Sequence, residues 1–113
     1  MHNLSVMSEQ QLSRVKIILT DIDDTLTTDG RLTSAAYGAL ERLSNSGYKL
    51  IPVTGRCAGW CDHIARMWPV DGVVGENGAF FYQYDHIDKI MHNIYSQTEL
   101  ERQSNFKLLH QIL

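Results

Sequence analysis

The sequence predicts an α/β protein in which helices cover a parallel sheet. Short apolar segments alternate along the chain with longer segments of helical periodicity, which is the order of strand–helix–strand crossover units. The first apolar segment ends abruptly in aspartates, and parallel sheets carry their functional groups at the carboxyl ends of their strands. With 113 residues, the chain is long enough for one domain with a substantial hydrophobic core.

Composition excludes some classes of partner. Hydrophobic residues make up 43% of the chain, charged residues make up 20%, and the net charge is −3. These values argue against a surface for nucleic acid or for an anionic membrane. No segment approaches the ~20 apolar residues of a membrane span, and residues 1–14 lack the apolar core of a signal peptide. We therefore expect a cytoplasmic protein, in which reduced cysteines are usual.

Local patterns predict the first elements. Residues 1–14 form a polar lead, with a short helix expected around residues 8–12. Residues 15–19 are rich in β-branched side chains and nearly uncharged, which is typical of a strand buried on both faces of a parallel sheet. An Asp-Gly pair at 29–30 predicts a small hairpin over residues 27–32. This hairpin would lie where it can cover or uncover the end of the first strand.

A helix and a second strand complete the first crossover unit. Thr33 is a suitable N-cap, apolar residues follow at helical spacing, and Gly47 offers a left-handed stop. Residues 48–53 predict the second strand, with Pro52 near its end because proline cannot donate a hydrogen bond to a sheet. The order strand, helix, strand predicts a right-handed parallel crossover.

A second helix is predicted between this strand and Pro69. Its apolar stripe consists of Cys57, Cys61, Ile64, Ala65 and Trp68. We interpret the two cysteines as buried thiols, because a metal site would need further ligands at suitable spacing.

The last third of the chain predicts a short strand, a hairpin and a helix. The third strand covers residues 71–75, and the hairpin joins residues 80–84 to residues 89–95. Ser96 and Glu99 form a capping-box pattern before a final helix over residues 100–113.

Asp21 and Asp23 are the candidate catalytic residues and metal ligands. They follow the first strand two positions apart, so both carboxylates can face one pocket while Ile22 stays in the core. Two carboxylates this close favour a bound cation. The alternative is that Asp21, Asp23 and Asp24 only form a polar turn after the strand.

Thr54, Gly55 and Arg56 are the candidate phosphate-binding residues. They follow the second strand, at the same edge of the sheet as Asp21 if the two strands are parallel neighbours. A hydroxyl and a glycine that open a helix offer donors to an anion. Two alternatives remain open here: Thr54 is an ordinary N-cap, and Arg56 forms a surface ion pair.

Residues 21–25, Asp-Ile-Asp-Asp-Thr, resemble the Asp-x-Asp-x-Thr signature of the haloacid dehalogenase superfamily. The Glu-Asn-Gly-Ala turn at 76–79 resembles the branch that inserts its cap after the third strand, which includes sugar-phosphate phosphatases and phosphomannomutases. The resemblance implies a Rossmann-like three-layer parallel sheet. It implies a partial core over residues 15–84, after the lead of residues 1–14, with the hairpin and helix of residues 85–113 as the start of a cap or a truncated remainder.

The resemblance also implies an activity. Members of this superfamily are mostly Mg²⁺-dependent phosphohydrolases, in which the first Asp of the signature is the nucleophile and the second is the general acid/base. For this chain these would be Asp21, which forms an aspartyl-phosphate, and Asp23, with Thr54 as the phosphate ligand. The expected substrate is a small phosphorylated metabolite such as a sugar phosphate.

The resembled family has two further features that this chain lacks. One is a lysine that neutralises the nucleophile and the phosphate, and the other is a set of downstream acidic residues that completes the magnesium site. Lys89 and Lys107 lie in the predicted hairpin and last helix, and no Gly-Asp-x-x-x-Asp turn follows residue 95. We therefore expect this chain to carry only the N-terminal half of the site and to show little or no activity alone. The alternative functions are a non-catalytic binding or association module, and a fragment of a phosphomutase. The resemblance also implies a sheet order in which the first strand is central, so without the missing strands it would be an open edge, expected to pair with a second copy or with a complementary C-terminal fragment.

Overall fold

A computed structural model describes residues 3–113, and it has the order of elements that the sequence predicts. The polar lead contains a 3₁₀ turn at Leu4–Val6, and residues 1 and 2 of that predicted lead lie outside the described residues. The helices are α1 (Glu9–Leu12), α2 (Ser34–Asn45), α3 (Ala58–Met67) and α4 (Glu99–Ile112). The strands are β1 (Ile17–Thr20), β2 (Thr27–Thr28), β3 (Arg31–Leu32), β4 (Lys49–Pro52), β5 (Val73–Gly75), β6 (Phe80–Asp85) and β7 (Ile90–Tyr95).

Two sheets lie side by side, a parallel one with the order β1-β4 and an antiparallel one with the order β5-β6-β7. β1 pairs in parallel with β4, from Ile17 opposite Lys49 to Thr20 opposite Pro52. A parallel bridge between Val53 and Val74 joins β4 to β5, and the pairs β5–β6 and β6–β7 are antiparallel. The predicted α/β class and the predicted parallel crossover are confirmed. Pro52 is the last residue of β4, as its missing N–H requires.

Asp71 links the segment before β5 to β4 by hydrogen bonds, at a place where the two strands do not form a regular ladder. Its Oδ2 accepts the N–H of Leu50 at 2.9 Å, and its own N–H donates to the Leu50 carbonyl at 2.8 Å. Its Oδ1 also accepts from Lys49 Nζ at 3.2 Å. Leu50 is fully buried, so its backbone groups need these partners.

The core lies between α3 and the strands β5 and β6. The buried residues that form it share contacts across this interface and are Ile22, Cys61, Ile64, Ala65, Val73, Phe80 and Tyr82. The apolar stripe of α3 is therefore confirmed at Cys61, Ile64 and Ala65. The prediction was wrong for Cys57, whose side chain is exposed because this residue is the N-cap of α3 and not part of its buried face.

Helix ends follow local chemistry. The Thr33 hydroxyl oxygen accepts the N–H of Ala36 at 3.2 Å, and Gly47, after the last turn of α2, has a φ of +93°. Both predicted caps are confirmed. The capping box before α4 was placed wrongly: Thr98 accepts the N–H of Glu101, and Glu101 accepts the N–H of Thr98. Glu99 is instead the first residue of the helix.

β1 is buried on one face only, which corrects the prediction of burial on both. Ile17 is 56% exposed and Leu19 is 64% exposed, while Ile18 and Thr20 are half-buried. Alternate residues of a strand point the same way, so Ile17 and Leu19 form one open apolar face. Among residues 3–113, no element covers this face, and β1 pairs with β4 alone. Within the same range, no helix is long and apolar enough to cross a membrane.

Candidate active site

The register of β1 and β4 brings two loops to one edge of the sheet. Thr20 lies opposite Pro52, and the N–H of Val53 donates to the Thr20 carbonyl at 2.8 Å. Asp21 and Val53 are therefore the next residues of two neighbouring strands that run in the same direction. The loop that begins at Asp21 and the loop that begins at Val53 therefore lie at the same edge of the sheet, as the sequence predicts for a parallel pair.

The first loop is held by the carbonyl of one buried residue. Ile22 is 3% exposed, and its carbonyl oxygen accepts the N–H groups of Thr25, Leu26 and Thr27 at 3.3, 2.9 and 3.0 Å. Asp24 adopts a φ of 61°, which turns the chain sharply. The side chains of Asp21 and Asp23 stay exposed on either side of Ile22. The alternation that the sequence predicts is therefore present.

Asp21 is an exposed carboxylate with one weak intramolecular contact. The Thr25 hydroxyl donates to Asp21 Oδ2 at 3.4 Å. Across residues 3–113, Asp21 forms no ion pair, whereas Asp23 does. A carboxylate that is exposed and not neutralised is available as a nucleophile or as a ligand for a cation.

Asp23 of the first loop is paired with Arg56 of the second loop. Arg56 Nη2 donates to Asp23 Oδ1 at 2.7 Å, and Arg56 Nε donates to Asp23 Oδ2 at 3.2 Å. This bidentate arrangement is the strong form of the Arg–carboxylate pair. The hydrogen bonds and the charge of Arg56 hold the pKa of Asp23 below its usual value, and Asp23 in turn raises the pKa of Arg56. Asp23 is therefore a carboxylate at neutral pH in this arrangement.

The guanidinium of Arg56 also lies over an aromatic ring. Its Cζ is 4.5 Å from the ring centroid of Trp60, one turn into α3, within the range of a cation–π contact. Of the two alternatives that the sequence left open for Arg56, the structure has the ion pair, and its partner is the second aspartate of the site. Arg56 contacts no other carboxylate among the described residues.

Thr54 is buried, and most of its polar groups are already engaged. It is 3% exposed, its N–H donates to the Val74 carbonyl at 2.9 Å, and its carbonyl accepts the N–H of Asn77 at 3.1 Å. Its hydroxyl oxygen accepts the N–H of Arg56 at 3.1 Å. Only the hydroxyl hydrogen of Thr54 is left as a donor for a phosphate oxygen. Thr54 is not the N-cap of α3, because that helix begins at Ala58 with Cys57 as its cap.

The turn at Glu76–Gly78 supports this second loop. The N–H of Glu76 donates to the Arg56 carbonyl at 3.0 Å, and Asn77 contacts Thr54 as described. A Cβ added to Gly55 would lie 3.0 Å from Asn77 Oδ1, so a glycine suits the close approach of the two segments. Glu76 and Asn77 both have positive φ values, 45° and 57°. The Glu-Asn-Gly-Ala segment therefore has a structural role at the site that its sequence did not reveal.

The type of ligand atom at the site suits a magnesium ion. All candidate ligands are oxygens, and Mg²⁺ prefers carboxylate and carbonyl oxygens and keeps several waters. The described residues hold no cluster of three or more carboxylate, His or Cys side chains. Among residues 3–113, Asp21 and Asp24 of this loop form no ion pair, whereas Arg56 occupies the carboxylate of Asp23.

A sequence profile of haloacid dehalogenase-like hydrolases matches residues 18–112. The chain belongs to this family. The match includes the aspartate loop and extends through the hairpin into α4, well beyond the motifs that carry the resemblance. No sequence among the curated proteins matches the chain significantly.

Solved structures of other haloacid dehalogenase-like proteins share the fold. A phosphatase of the superfamily from Bacteroides thetaiotaomicron has a TM-score of 0.60 and 24% identity, covering 96% of this chain and 40% of that one. A haloacid dehalogenase-like hydrolase from B. subtilis has a TM-score of 0.59 and 20% identity, and the match covers 81% of this chain and 32% of the hydrolase. A subclass IIB sugar phosphatase has a TM-score of 0.51 and 28% identity, and the match covers 61% of this chain and 28% of the sugar phosphatase. This chain thus spans less than half the length of each.

The Asp23–Arg56 pair predicts a pH dependence. A carboxyl whose pKa is lower in the folded protein stabilises it above the ordinary Asp pKa of about 4, and this contribution is lost as the pH falls through the lowered value. We expect Arg56→Ala to raise the pKa of Asp23 towards about 4, measured by NMR titration of the side-chain carboxyl carbon. The difference in stability between the two proteins should be largest at neutral pH and should shrink on acidification to the part that comes from the contact between Arg56 and Trp60.

Arg66→Ala is the matched control. It breaks another Arg–Asp pair of 2.7 Å, with Asp62 on α3, and should leave the titration of Asp23 unchanged. An unchanged pKa of Asp23 in Arg56→Ala would contradict the pairing.

Proposed function

We propose that this chain carries the nucleophile half of the active site of a magnesium-dependent phosphohydrolase that acts on a small phosphorylated metabolite. The observation that supports this most is the pair of exposed carboxylates, Asp21 and Asp23, that flank buried Ile22 at the end of β1. The family match and the likeness to a sugar phosphatase support the class of reaction.

The two aspartates divide the chemistry. An oxygen of Asp21 attacks phosphorus, the bond from phosphorus to the leaving oxygen breaks, and Asp23 gives that oxygen a proton. Asp23, now a carboxylate, takes a proton from water, whose oxygen attacks phosphorus and releases Asp21. A carboxylate nucleophile in this way replaces one difficult step by two easier ones.

Arg56 must therefore change partners during the cycle. An acid has to carry a proton, whereas the pair with Arg56 keeps Asp23 ionised. A phosphate bound at Thr54, Gly55 and Arg56 would draw the guanidinium towards its own negative charge. The Asp23–Arg56 ion pair is thus present before the substrate binds, and it breaks when the phosphate of the substrate binds to Arg56.

Asp21, together with a backbone carbonyl near Asp23, would hold the magnesium ion. The ion would offset the negative charge that gathers when a carboxylate approaches a phosphate ester. With so few protein ligands, the 113-residue chain alone should bind it weakly and turn over far more slowly than the ~10 s⁻¹ of an ordinary enzyme.

We expect Asp21→Asn to abolish phosphoryl transfer without unfolding the protein, because the amide has the same shape but is not a nucleophile. The measurement is hydrolysis of 4-nitrophenyl phosphate with Mg²⁺, together with mass spectrometry for one added phosphoryl group. Both are done on the chain itself and on the chain with any adjoining coding sequence appended.

Asp24→Asn is the matched control. Asn tolerates the positive φ of this position, and Asp24 has no role in the proposed chemistry, so activity should be retained. Full activity in Asp21→Asn would refute the assignment of the nucleophile.

An association module is the second candidate function, and the open face of β1 favours it. Ile17 and Leu19 present exposed apolar side chains on a strand that pairs on one side only among residues 3–113. Such an edge is a template for another chain. We propose that two copies, or this chain and a complementary fragment, pair through β1.

Sedimentation velocity over a range of concentrations tests this association. We expect Leu19→Lys to shift the chain towards the monomer, because a charge on an exposed strand opposes pairing. Ile94→Lys on β7 should have no such effect, although Ile94 is as exposed as Leu19, at 64%. A wild-type chain that stays monomeric at the highest concentration would rule out pairing between two copies.

A further inference from the structure

The two cysteines lie one helical turn apart at the start of α3, directly after Arg56. Cys57 is the N-cap of this helix and is exposed, whereas Cys61 is fully buried. The N–H of Cys61 donates to the Cys57 carbonyl at 3.2 Å, so the two residues have helical spacing. Helical neighbours four apart have Cβ atoms about 5–6 Å apart, and a disulfide needs about 3.5–4.5 Å. A movement of about 1–2 Å therefore separates these two thiols from a disulfide.

The sulfur of Cys61 lies beside the backbone of Cys57. Its S–H donates to the Arg56 carbonyl, with Sγ 3.6 Å from the oxygen, and this carbonyl belongs to the peptide bond that joins Arg56 to Cys57. Helical side chains lean towards the N-terminus of their helix, which directs residue 61 towards position 57. The buried sulfur therefore already faces the residue with which it would bond.

The exposed end of this pair is the end that can move. Gly59 lies between the two cysteines, a Cβ there would meet no atom within 4 Å, and glycine backbone adapts easily. The first N–H groups of a helix have no partner within it, so few hydrogen bonds resist a change in this turn. Cys61 is held more firmly, because its Sγ lies only 2.7 Å from where a Cβ of Gly75 would be. Closure would therefore shift Cys57 rather than the backbone of Cys61.

The two thiols differ in their access to a reagent. Cys57 is open to solvent, whereas burial raises the pKa of the Cys61 thiol to about 11 and keeps it protonated. Cys57 is therefore the thiol that meets an oxidant first. Once Cys57 carries a mixed disulfide, Cys61 is positioned to attack it, and this proximity offsets the small thiolate fraction of Cys61.

We propose that Cys57 and Cys61 are a redox-active thiol pair, which a small-molecule disulfide such as oxidised glutathione converts into an intramolecular disulfide that displaces Arg56 from Asp23. The Cys57 sulfur, as a thiolate, attacks one sulfur of oxidised glutathione, whose S–S bond breaks and releases one glutathione. The Cys61 sulfur then loses its proton and attacks the Cys57 sulfur, and the second glutathione leaves. Two protein thiols become one disulfide, one oxidised glutathione becomes two glutathione molecules, and these carry the two thiol protons.

The disulfide acts on the candidate active site through Arg56. Oxidation removes the S–H donor of Cys61 from the Arg56 carbonyl, which keeps only the N–H of Glu76. The side chain of Arg56 binds both oxygens of Asp23, at 2.7 and 3.2 Å, and this bidentate geometry tolerates little displacement. Because Arg56 is bonded to Cys57, a shift of Cys57 by about 1–2 Å moves Arg56 as well. A disulfide formed from such spacing is easily reduced, so the change is reversible.

Mass spectrometry of the chain after treatment with oxidised glutathione tests the thiol pair. We expect the chain to lose the mass of two hydrogen atoms and both of its free thiols, and dithiothreitol to restore them. Cys61→Ala should stop at a mixed disulfide on Cys57. Cys57→Ser, in which serine suits the N-cap position, should not react because Cys61 is buried. If Cys61→Ala fails to fold, the mass of the wild-type product decides alone.

The side-chain Nε–H signal of Arg56 in a ¹H–¹⁵N NMR spectrum tests the displacement at constant pH. This group donates to Asp23 in the reduced chain, so we expect oxidation to move its signal and reduction to return it. The Nε–H of Arg66 is the matched control, because it donates to Asp62 at 2.7 Å near the other end of α3 and should not move. Cys57→Ser treated in the same way should leave both signals unchanged.

Three products would overturn the thiol pair: an unreacted chain, a lasting mixed disulfide on wild-type Cys57, and a disulfide-linked dimer. An intramolecular disulfide that leaves the Arg56 signal in place would overturn the displacement, and with it the control of the site. None of these measurements depends on phosphoryl transfer, so failure of this inference and failure of the proposed function are distinguishable.

Discussion

The parallel pairing of β1 with β4 is the constraint on which the rest of the site depends. Its register, Thr20 opposite Pro52, fixes which residues of the two following loops face each other. A slip of one residue would turn every side chain of β1 to the other face, and Asp21 and Asp23 would then exchange places with Ile22. The bond from Val53 N–H to the Thr20 carbonyl therefore positions the candidate site residues as directly as any contact they make themselves.

The pair between Asp23 and Arg56 keeps Asp23 ionised, whereas the proposed chemistry needs Asp23 to carry a proton. Both side chains are partly exposed, at 47% and 34%, and surface ion pairs stabilise a fold only modestly. Solvent screening weakens even a bidentate pair that is this exposed, which is what the proposed exchange of Asp23 for a phosphate requires. The stacking of Arg56 on Trp60 limits where the guanidinium can move, so the exchange need not disorder the side chain.

Much of the fold follows from local pattern, since caps, periodicity and turn residues act within a few positions. Thr33 and Gly47 bound α2 as expected, and the alternation of Asp21, Ile22 and Asp23 is a property of extended backbone. Residues 96–101 contain two overlapping capping-box patterns, so local chemistry alone could not choose between Ser96 and Thr98.

Features that depend on distant partners could not be predicted in this way. Arg56 lies 33 positions from Asp23, and the local sequence around either residue does not predict that the two form an ion pair. The exposure of one face of β1 depends on whether another element packs against it. The composition of the strand does not determine this. Thr54 was identified by its position after the second strand, whereas its burial and its contact with Asn77 depend on the later turn.

Through-hydrogen-bond scalar couplings in the ¹⁵N,¹³C-labelled chain test the shared edge of the sheet most directly. The pairing of β1, β4 and β5 predicts couplings from Val53 nitrogen to the Thr20 carbonyl carbon and from Thr54 nitrogen to the Val74 carbonyl carbon. Both couplings would establish that the aspartate loop and the Thr54 loop share one sheet edge. A coupling from Val53 to any other carbonyl, or none at all, would contradict the register and with it the site.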